Sequence, residues 1–185
     1  MAVLKLNNVP VISETGGEAT FGTSSSTLKY PAGHVIQYDA DFETTGLSET
    51  GATFSTSGKP QITEGQGPIL SLAFSPKVAG STLEILVNVG MDSNESDNLS
   101  ICLFNTAIHA TDTVATSATR TAVSTGGNQN LTILYNYTTP STASATWLVR
   151  AGGTASGATT YVGRAAGFTY GGSMGYGITI KEIMA

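Results

Sequence analysis

The sequence predicts an all-β protein, an antiparallel jelly-roll sandwich of about eight strands with an extended N-terminal arm. Apolar and polar residues alternate with a period of two in several segments, as in the final stretch with Tyr176, Ile178 and Ile180. No segment has helical periodicity. The 185 residues include 28 Thr, 19 Ser and 22 Gly, a composition that favours short strands and tight turns. One hydrophobic core is the expectation for this length.

Residues 1–26 are predicted to form an extended N-terminal arm, and residues 27–185 the jelly-roll domain. The stretch from Val3 to Ile12 is apolar and contains Pro10, which lacks the N–H that a central strand needs. We therefore expect an edge strand or an arm that lies on another surface. The Gly/Thr/Ser run at 22–27 is the predicted linker.

The domain is predicted to begin with a strand over 35–38 that pairs with the C-terminal strand. Further strands are predicted over 68–74, 81–91, 98–107, 131–137, 145–150 and 160–162. Residues 41–67 are predicted as loop or edge around a short element at 52–54, and residues 111–128 as a long loop. Residues 92–97 are predicted as a polar hairpin loop, and residues 138–141 as the turn of a second hairpin. Alternation places Tyr135 and Tyr137 on the face of Leu131 and Ile133, which favours core or interface.

The run from Ile101 to Phe104 is apolar on both faces, as expected of a strand that is covered on both sides. A neighbouring subunit is the simplest cover for the face that points away from the core. Cys102 lies inside this run and is the only cysteine, so no intrachain disulfide forms and a small buried hydrophobe is predicted.

The net charge and the lack of targeting segments argue against nucleic-acid binding, membrane insertion and secretion. A net charge of −5 excludes the basic stripe that nucleic-acid binding needs. No run reaches the roughly 18 apolar residues of a membrane span, so no membrane insertion is expected. The N-terminus lacks the pattern of a secretory signal, which predicts synthesis and folding in a cytoplasm.

Motifs for catalysis are sparse. Residues 171–175 match G-x-S-x-G around Ser173, but a nucleophile elbow needs a later acid and histidine, and no histidine follows. His34 and His109 are too far apart in sequence for a zinc motif. We therefore predict no catalytic residue, no cofactor, no metal site and no enzymatic activity.

Two groups of residues supply side-chain oxygens of the kind that binds calcium. Asp39, Asp41 and Glu43 share one face of a strand, but a solvated strand end is the favoured interpretation. The loop at 92–97 contains further oxygen ligands without the order of a calcium hand, and a plain polar turn is favoured there. These oxygens come from Asp92, Asn94, Glu95 and Asp97.

Four stretches carry a resemblance to a known family: residues 30–37 (YPAGHVIQ), residues 72–77 (LAFSPK) leading to residues 81–89 (STLEILVNV), and the closing residues 177–183 (GITIKEI). In this order they resemble small virion proteins of tailed bacteriophages, which form trimeric knobs with a C1q/TNF-like jelly roll. The stretch from Leu4 to Ser13 is similar to the start of phage fibre proteins.

The resemblance implies a non-enzymatic, homotrimeric fibre or knob that is displayed on the virion for host attachment. It implies an N-terminal arm that attaches to other virion proteins of the capsid or tail. It also implies outward loops at 41–67, 92–97 and 111–128 that meet a host-surface glycan or protein. A capsid decoration protein, of the head-fibre or cement type, is the close alternative. A carbohydrate-binding module or glycan-active enzyme is the third.

Three sets of residues follow from this reading. The predicted trimer interface comprises Val35, Ile101, Leu103, Tyr176, Ile178 and Ile180. The predicted particle-attachment residues are Leu4, Leu6, Val9, Val11 and Ile12. The predicted outward loop residues are Asp92, Asn94, Asp97 and Tyr170.

Overall fold

The regular structure of the described residues consists of strands. The computed structural model describes residues 3–6, 9–15, 18–21, 32–109, 111–120, 128–165 and 174–185, and these ranges contain no helix. Two compact units are present, Met1–His34 and Val35–Ala185. The predicted boundary between residues 26 and 27 falls outside the described residues, so it stays a prediction.

The N-terminal unit contains a small antiparallel sheet. Its strands, in spatial order, are β1 (Val3–Leu6), β2 (Val9–Thr15) and β3 (Glu18–Phe21). Pro10 lies in the central strand β2, contrary to the expectation of an edge strand. However, β3 pairs with β2 only from Ile12 onward, so Pro10 has a strand partner on one side only, at Lys5. Its missing N–H therefore interrupts no ladder between two partners.

The second unit is an antiparallel β-sandwich of the jelly-roll type, as predicted. The ten strands that the structure describes in this unit are β4 (Val35–Glu43), β5 (Leu47–Thr50), β6 (Gln66–Phe74), β7 (Thr82–Ser93), β8 (Asn98–Asn105), β9 (Ala115–Arg120), β10 (Gln129–Thr138), β11 (Ala145–Gly152), β12 (Thr159–Val162) and β13 (Tyr176–Ile183). The first sheet contains β4, β13, β7, β10, β12 and β5, and the second sheet has the order β6-β11-β8-β9.

Strand β7 is the centre of the first sheet. Its residues 82–91 pair with β10 on one edge. Its other edge is shared, because residues 82–88 pair with β13 and residues 91–93 pair with β12. Strand β13 pairs on its far side with β4, which confirms the predicted meeting of the domain's first and last strands.

The core lies between the two sheets and follows the predicted period of two. Leu83, Ile85, Val87 and Val89 of β7 are at most 2% exposed, and the residues between them are more accessible. Tyr135 and Tyr137 pack against the core beside Leu131 and Ile133, as predicted. The largest fully buried side chain belongs to Trp147 of β11.

Two predicted hairpins are wrong, because the strands that they would join lie in different sheets. Strands β7 and β8 flank residues 94–97, but β7 belongs to the first sheet and β8 to the second. Strands β10 and β11 are likewise divided between the sheets, although the turn at 138–141 connects them. Both connections cross from one sheet to the other.

The predicted cover of β8 by a neighbouring subunit is also wrong. Cys102 and Phe104 point away from the core, yet both are fully buried because Phe54 and Ile62 pack over them. We call residues 51–65 the cover loop. It is held by Arg150, whose Nε donates a 2.7 Å hydrogen bond to the carbonyl oxygen of Glu64. The chain therefore covers the outward face of β8 by itself.

Candidate interaction surface

The first sheet has an outward face, opposite the core, on which large apolar side chains are exposed. The pleat of a strand sends alternate residues to opposite faces, so β4 presents Tyr38 and Phe42 outward. Strands β7 and β10 present Leu86 and Leu134 on the same face. The exposed fractions of these side chains are 56% for Tyr38, 65% for Phe42, 40% for Leu86 and 63% for Leu134.

These side chains form rows across the sheet. Leu134 lies directly opposite Leu86, and the row continues through Thr179 of β13 to Ala40 of β4. In the next row the ring of Phe42 lies over Gly177, so close that a β-carbon at position 177 would meet ring carbons. The absence of a side chain at Gly177 thus lets the Phe42 ring lie across β13, which gives the face a flat aromatic surface.

One ion pair borders this apolar area. Lys181 Nζ lies 2.9 Å from Glu84 Oε1, and Tyr38 stands beside Lys181 on β4. Both charged side chains are partly exposed, so the pair contributes little to stability by itself. This face therefore combines exposed apolar side chains with polar neighbours, and such a mixture is also found in protein–protein interfaces.

Five of the six residues predicted for the trimer interface are buried in the core of the sandwich. Tyr176, Ile178 and Ile180 are at most 3% exposed and belong to the core. Ile101 and Leu103 are fully buried on the inner face of the second sheet. These five side chains present no surface to another copy, because the period of two directs them inward. Val35 alone is exposed, at 49%.

The residues that the sequence reasoning missed carried a visible signal. Leu86 stands in the polar register of β7, between Glu84 and Asn88. Leu134 stands between Thr132 and Asn136 in the same way. An apolar residue in an otherwise polar register is the feature that marks an outward-facing contact.

The predicted outward loop residues have structural roles instead. Asp92 and Asp97 are buried, at 0% and 4% exposure. Asp97 Oδ1 accepts hydrogen bonds from the backbone N–H groups of Asn98, Thr154 and Ala155 at 2.7–3.0 Å. Asn94 is half-buried, and its Oδ1 accepts a 2.7 Å bond from the backbone of Thr159. Tyr170 lies outside the described residues.

The predicted attachment residues fall in the N-terminal sheet. Leu4 lies opposite Ile12 and Leu6 opposite Val9, and Val11 lies beside the irregularity in the pairing of β1 with β2. Their side chains lie outside the description, so the attachment role stays a prediction.

Chemistry-bearing residues do not converge on one site in the part of the chain that the structure describes. Within those ranges no group of three or more His, Cys, Asp or Glu side chains could hold a metal ion. Ser173 of the G-x-S-x-G match lies outside them. Cys102 is buried as predicted, and desolvation raises the pKa of its thiol to about 11, so the thiol is protonated at neutral pH.

Comparison with known proteins adds no family to this picture. No protein-family model matches the chain, and no curated protein matches it significantly in sequence. Among the described residues there is no helix long and apolar enough to cross a membrane.

Proposed function

We propose that this chain is a non-enzymatic structural protein of a bacteriophage virion, a homotrimeric knob displayed on the particle for host-surface binding. The observation that carries the proposal is the exposed apolar face of the first sheet, with Tyr38, Phe42, Leu86 and Leu134. The family resemblance supplies the threefold symmetry and the virion setting.

The apolar face supports self-association for a physical reason. Removing apolar surface from water is favourable by about 25 cal/mol per Å², and contiguous exposed apolar patches mark interaction sites. Phe42 and Leu134 lie on the two outermost strands of this part of the sheet, β4 and β10. Exposed apolar side chains thus stand on β4, β7 and β10, with Gly177 and Thr179 of β13 between them, and a second copy that packs on this face would contact all three strands.

Placement on the particle is proposed through the N-terminal arm, with capsid or tail proteins as its partners. The net charge of −5 is consistent with protein partners and not with nucleic acid. A virion protein of this kind is made in the cytoplasm of the bacterial host. No part of this proposal requires a cofactor.

Capsid decoration is the second candidate, and the loops favour it. Two segments expected to recognise a host surface serve the fold instead: the cover loop packs on the second sheet, and Asp97 braces the turn at 153–155. A glycan-active enzyme is the third candidate. It ranks last because glycan cleavage needs accessible carboxylates, whereas Asp92 and Asp97 are buried.

Substitutions on the outward face test the self-association. Leu134→Asp and Phe42→Asp each place a charge at the proposed contact, so the assembly should dissociate to monomers in size-exclusion chromatography with light scattering. Ala73→Asp is the matched control, because Ala73 is exposed on the second sheet. Assembly that is unchanged in the first two variants, or equally reduced in the control, would contradict the proposal.

Binding assays separate the two virion roles. The full chain and a chain lacking residues 1–26 are each mixed with host cells and with isolated phage shells. Cell binding that survives the loss of residues 1–26 supports the host-binding knob. If the full chain binds shells but not cells, and the chain lacking residues 1–26 no longer binds shells, the result supports capsid decoration.

A further inference from the structure

A half-buried arginine, Arg164, lies just after β12 and takes no part in the proposed assembly contact. Its aliphatic stem packs closely on Gly46, the residue before β5. A β-carbon at position 46 would lie 2.9–3.2 Å from Cβ, Cγ and Cδ of Arg164. The absence of a side chain at Gly46 therefore lets the arginine stem lie against the backbone there.

The guanidinium of Arg164 is held over an aromatic ring. Its Cζ lies 5.3 Å from the ring centroid of Tyr161 on β12, within the range of a cation–π contact. Tyr161 is itself half-buried. Contacts along the stem and at the guanidinium together limit the conformations of this side chain, so its donors are positioned before any ligand arrives.

The nitrogens of Arg164 have no partner in the described part of the chain. Nε is buried and donates to no acceptor, and the two Nη groups make no hydrogen bond but, unlike Nε, reach the surface. The ion pair found among the same residues joins Lys181 to Glu84 instead. A buried donor without an acceptor costs free energy, and native structures rarely keep one without a role.

Arg150 shows how an arginine of this chain is satisfied when its role is structural. Its Nε donates a 2.7 Å hydrogen bond to the carbonyl oxygen of Glu64, and its Nη2 donates a 3.3 Å bond to that of Gly65. Arg164 makes no such bond to the described residues, although the chain has 13 Asp and Glu beside 8 Lys and Arg. It presents a positioned positive charge with unused Nη donors.

We propose that Arg164 binds a carboxylate group that a small ligand brings from outside the chain. The two Nη groups can donate parallel hydrogen bonds to the two oxygens of a carboxylate. One positive charge matches a monoanion, whereas a phosphate group carries about 1.5 to 2 negative charges at neutral pH and would add to the net charge of −5. The carboxylate belongs to a free organic acid or to an acidic sugar.

NMR titrations of the full chain with acetate, glucuronate and glucose test the proposal at neutral pH and constant ionic strength. Both acids should shift the signals of the Arg164 Nε–H and of the Gly46 backbone amide saturably, with a dissociation constant on the order of 10 mM. Glucose has no carboxylate and should shift neither signal. The Arg150 Nε–H signal is the internal control and should not move, because its donor is already bonded.

The two acids also distinguish the sources of the carboxylate. Equal affinity for acetate and glucuronate would support a site that recognises the carboxylate alone. Tighter binding of glucuronate would support an acidic sugar as the ligand. Neither result depends on the oligomeric state, so this proposal and the proposed assembly stand or fall separately.

Three variants test whether Arg164 is the binding residue. Arg164→Gln removes the charge and should abolish the saturable shift of the Gly46 amide. Arg164→Lys keeps the charge without the planar pair of donors and should weaken binding about fivefold or more. Lys77→Gln removes an equal charge from an exposed side chain and should change the affinity by about twofold at most. No saturable shift with either acid, an equal shift with glucose, or an equal loss in the Lys77→Gln variant would overturn the proposal.

Discussion

Single buried carboxylates stabilise the connections of this fold. Glu182 of β13 is fully buried, and its carboxylate accepts hydrogen bonds from the backbone N–H groups of Lys77 and Val78 at 2.8–3.0 Å. The Ser81 hydroxyl donates a further 2.7 Å bond. The last strand of the domain is thus tied to the turn between β6 and β7.

Replacing Glu182 should destabilise the domain strongly. Glu182→Ala leaves two backbone donors and a hydroxyl without their acceptor, at a cost of about 2–4 kcal/mol in the free energy of unfolding. Glu182→Gln keeps one oxygen and should lose about half as much. Urea denaturation followed by Trp147 fluorescence measures both.

Glu84→Ala is the control for this prediction. Glu84 makes a partly exposed ion pair with Lys181, so its loss should cost at most about 1 kcal/mol. A Glu182→Ala variant no less stable than Glu84→Ala would show that the buried bonds contribute nothing.

Gly153 makes room for the Asp97 carboxylate. A β-carbon at position 153 would meet the side-chain atoms of Asp97, which also bonds to the backbone of Thr154. Gly153→Ala should therefore lower the free energy of unfolding by about 2–4 kcal/mol. A β-carbon at position 157 would meet no other atom within 4 Å. Gly157→Ala should therefore change the free energy of unfolding by at most about 1 kcal/mol. Equal urea midpoints for the two variants would refute this packing account.

At the scale of elements, alternation predicts strands such as β7 and β13 and an apolar run predicts β8, whereas strands without an apolar row escape prediction. Strands β7 and β13 have apolar residues at every second position, and both were predicted. Strand β9 has the sequence ATSATR without an apolar row, and it is a strand because the edge of β8 pairs with it. Strand β5 is likewise an edge strand, paired with β12. Pairing across the sheet, which local sequence does not encode, decides such cases.

The candidate surface could be predicted only in part for the same reason. Alternation shows that a strand has two faces. When both faces carry apolar residues, however, the sequence does not reveal which face packs against the second sheet. Tyr176 and Ile178 were therefore assigned to an interface, although they fill the core. The burial of Asp97 depends on residues 153–155, which are far from it in sequence and became visible only in the folded chain.

The cover loop should protect the Cys102 thiol from alkylating reagents. The raised pKa of about 11 leaves the thiolate fraction at pH 8 about a hundredfold below that of an unshifted thiol, and Phe54 excludes reagents. Phe54→Ala should expose the thiol and raise its rate of alkylation by iodoacetamide at least about tenfold.

Ile178→Ala separates local exposure from global unfolding. Ile178 is fully buried under the first sheet, so its truncation should destabilise the domain by about 2–5 kcal/mol without opening the cover loop. The alkylation rates of Cys102 in the Phe54→Ala and Ile178→Ala variants are compared under conditions in which the two variants are equally stable. Equal rates would show that the cover loop does not protect Cys102.

At the scale of the whole molecule, the two sheets differ in how their outward faces are covered. On the second sheet, residues 51–65 of the same chain cover Cys102 and Phe104, whereas the first sheet leaves Tyr38, Phe42 and Leu134 exposed. This asymmetry is the basis for proposing that copies of the chain cover the first sheet. The contact would bury the aromatic and aliphatic side chains that β4, β7 and β10 present.

Self-association through the first sheet is best tested by the solution mass of the intact chain, determined by light scattering over a range of concentrations. For the proposed trimer we expect a mass about three times the 18.9 kDa of one chain, retained on dilution and after removal of residues 1–26. A mass of 18.9 kDa at all concentrations would contradict it, because the apolar face of the first sheet would then remain open to water.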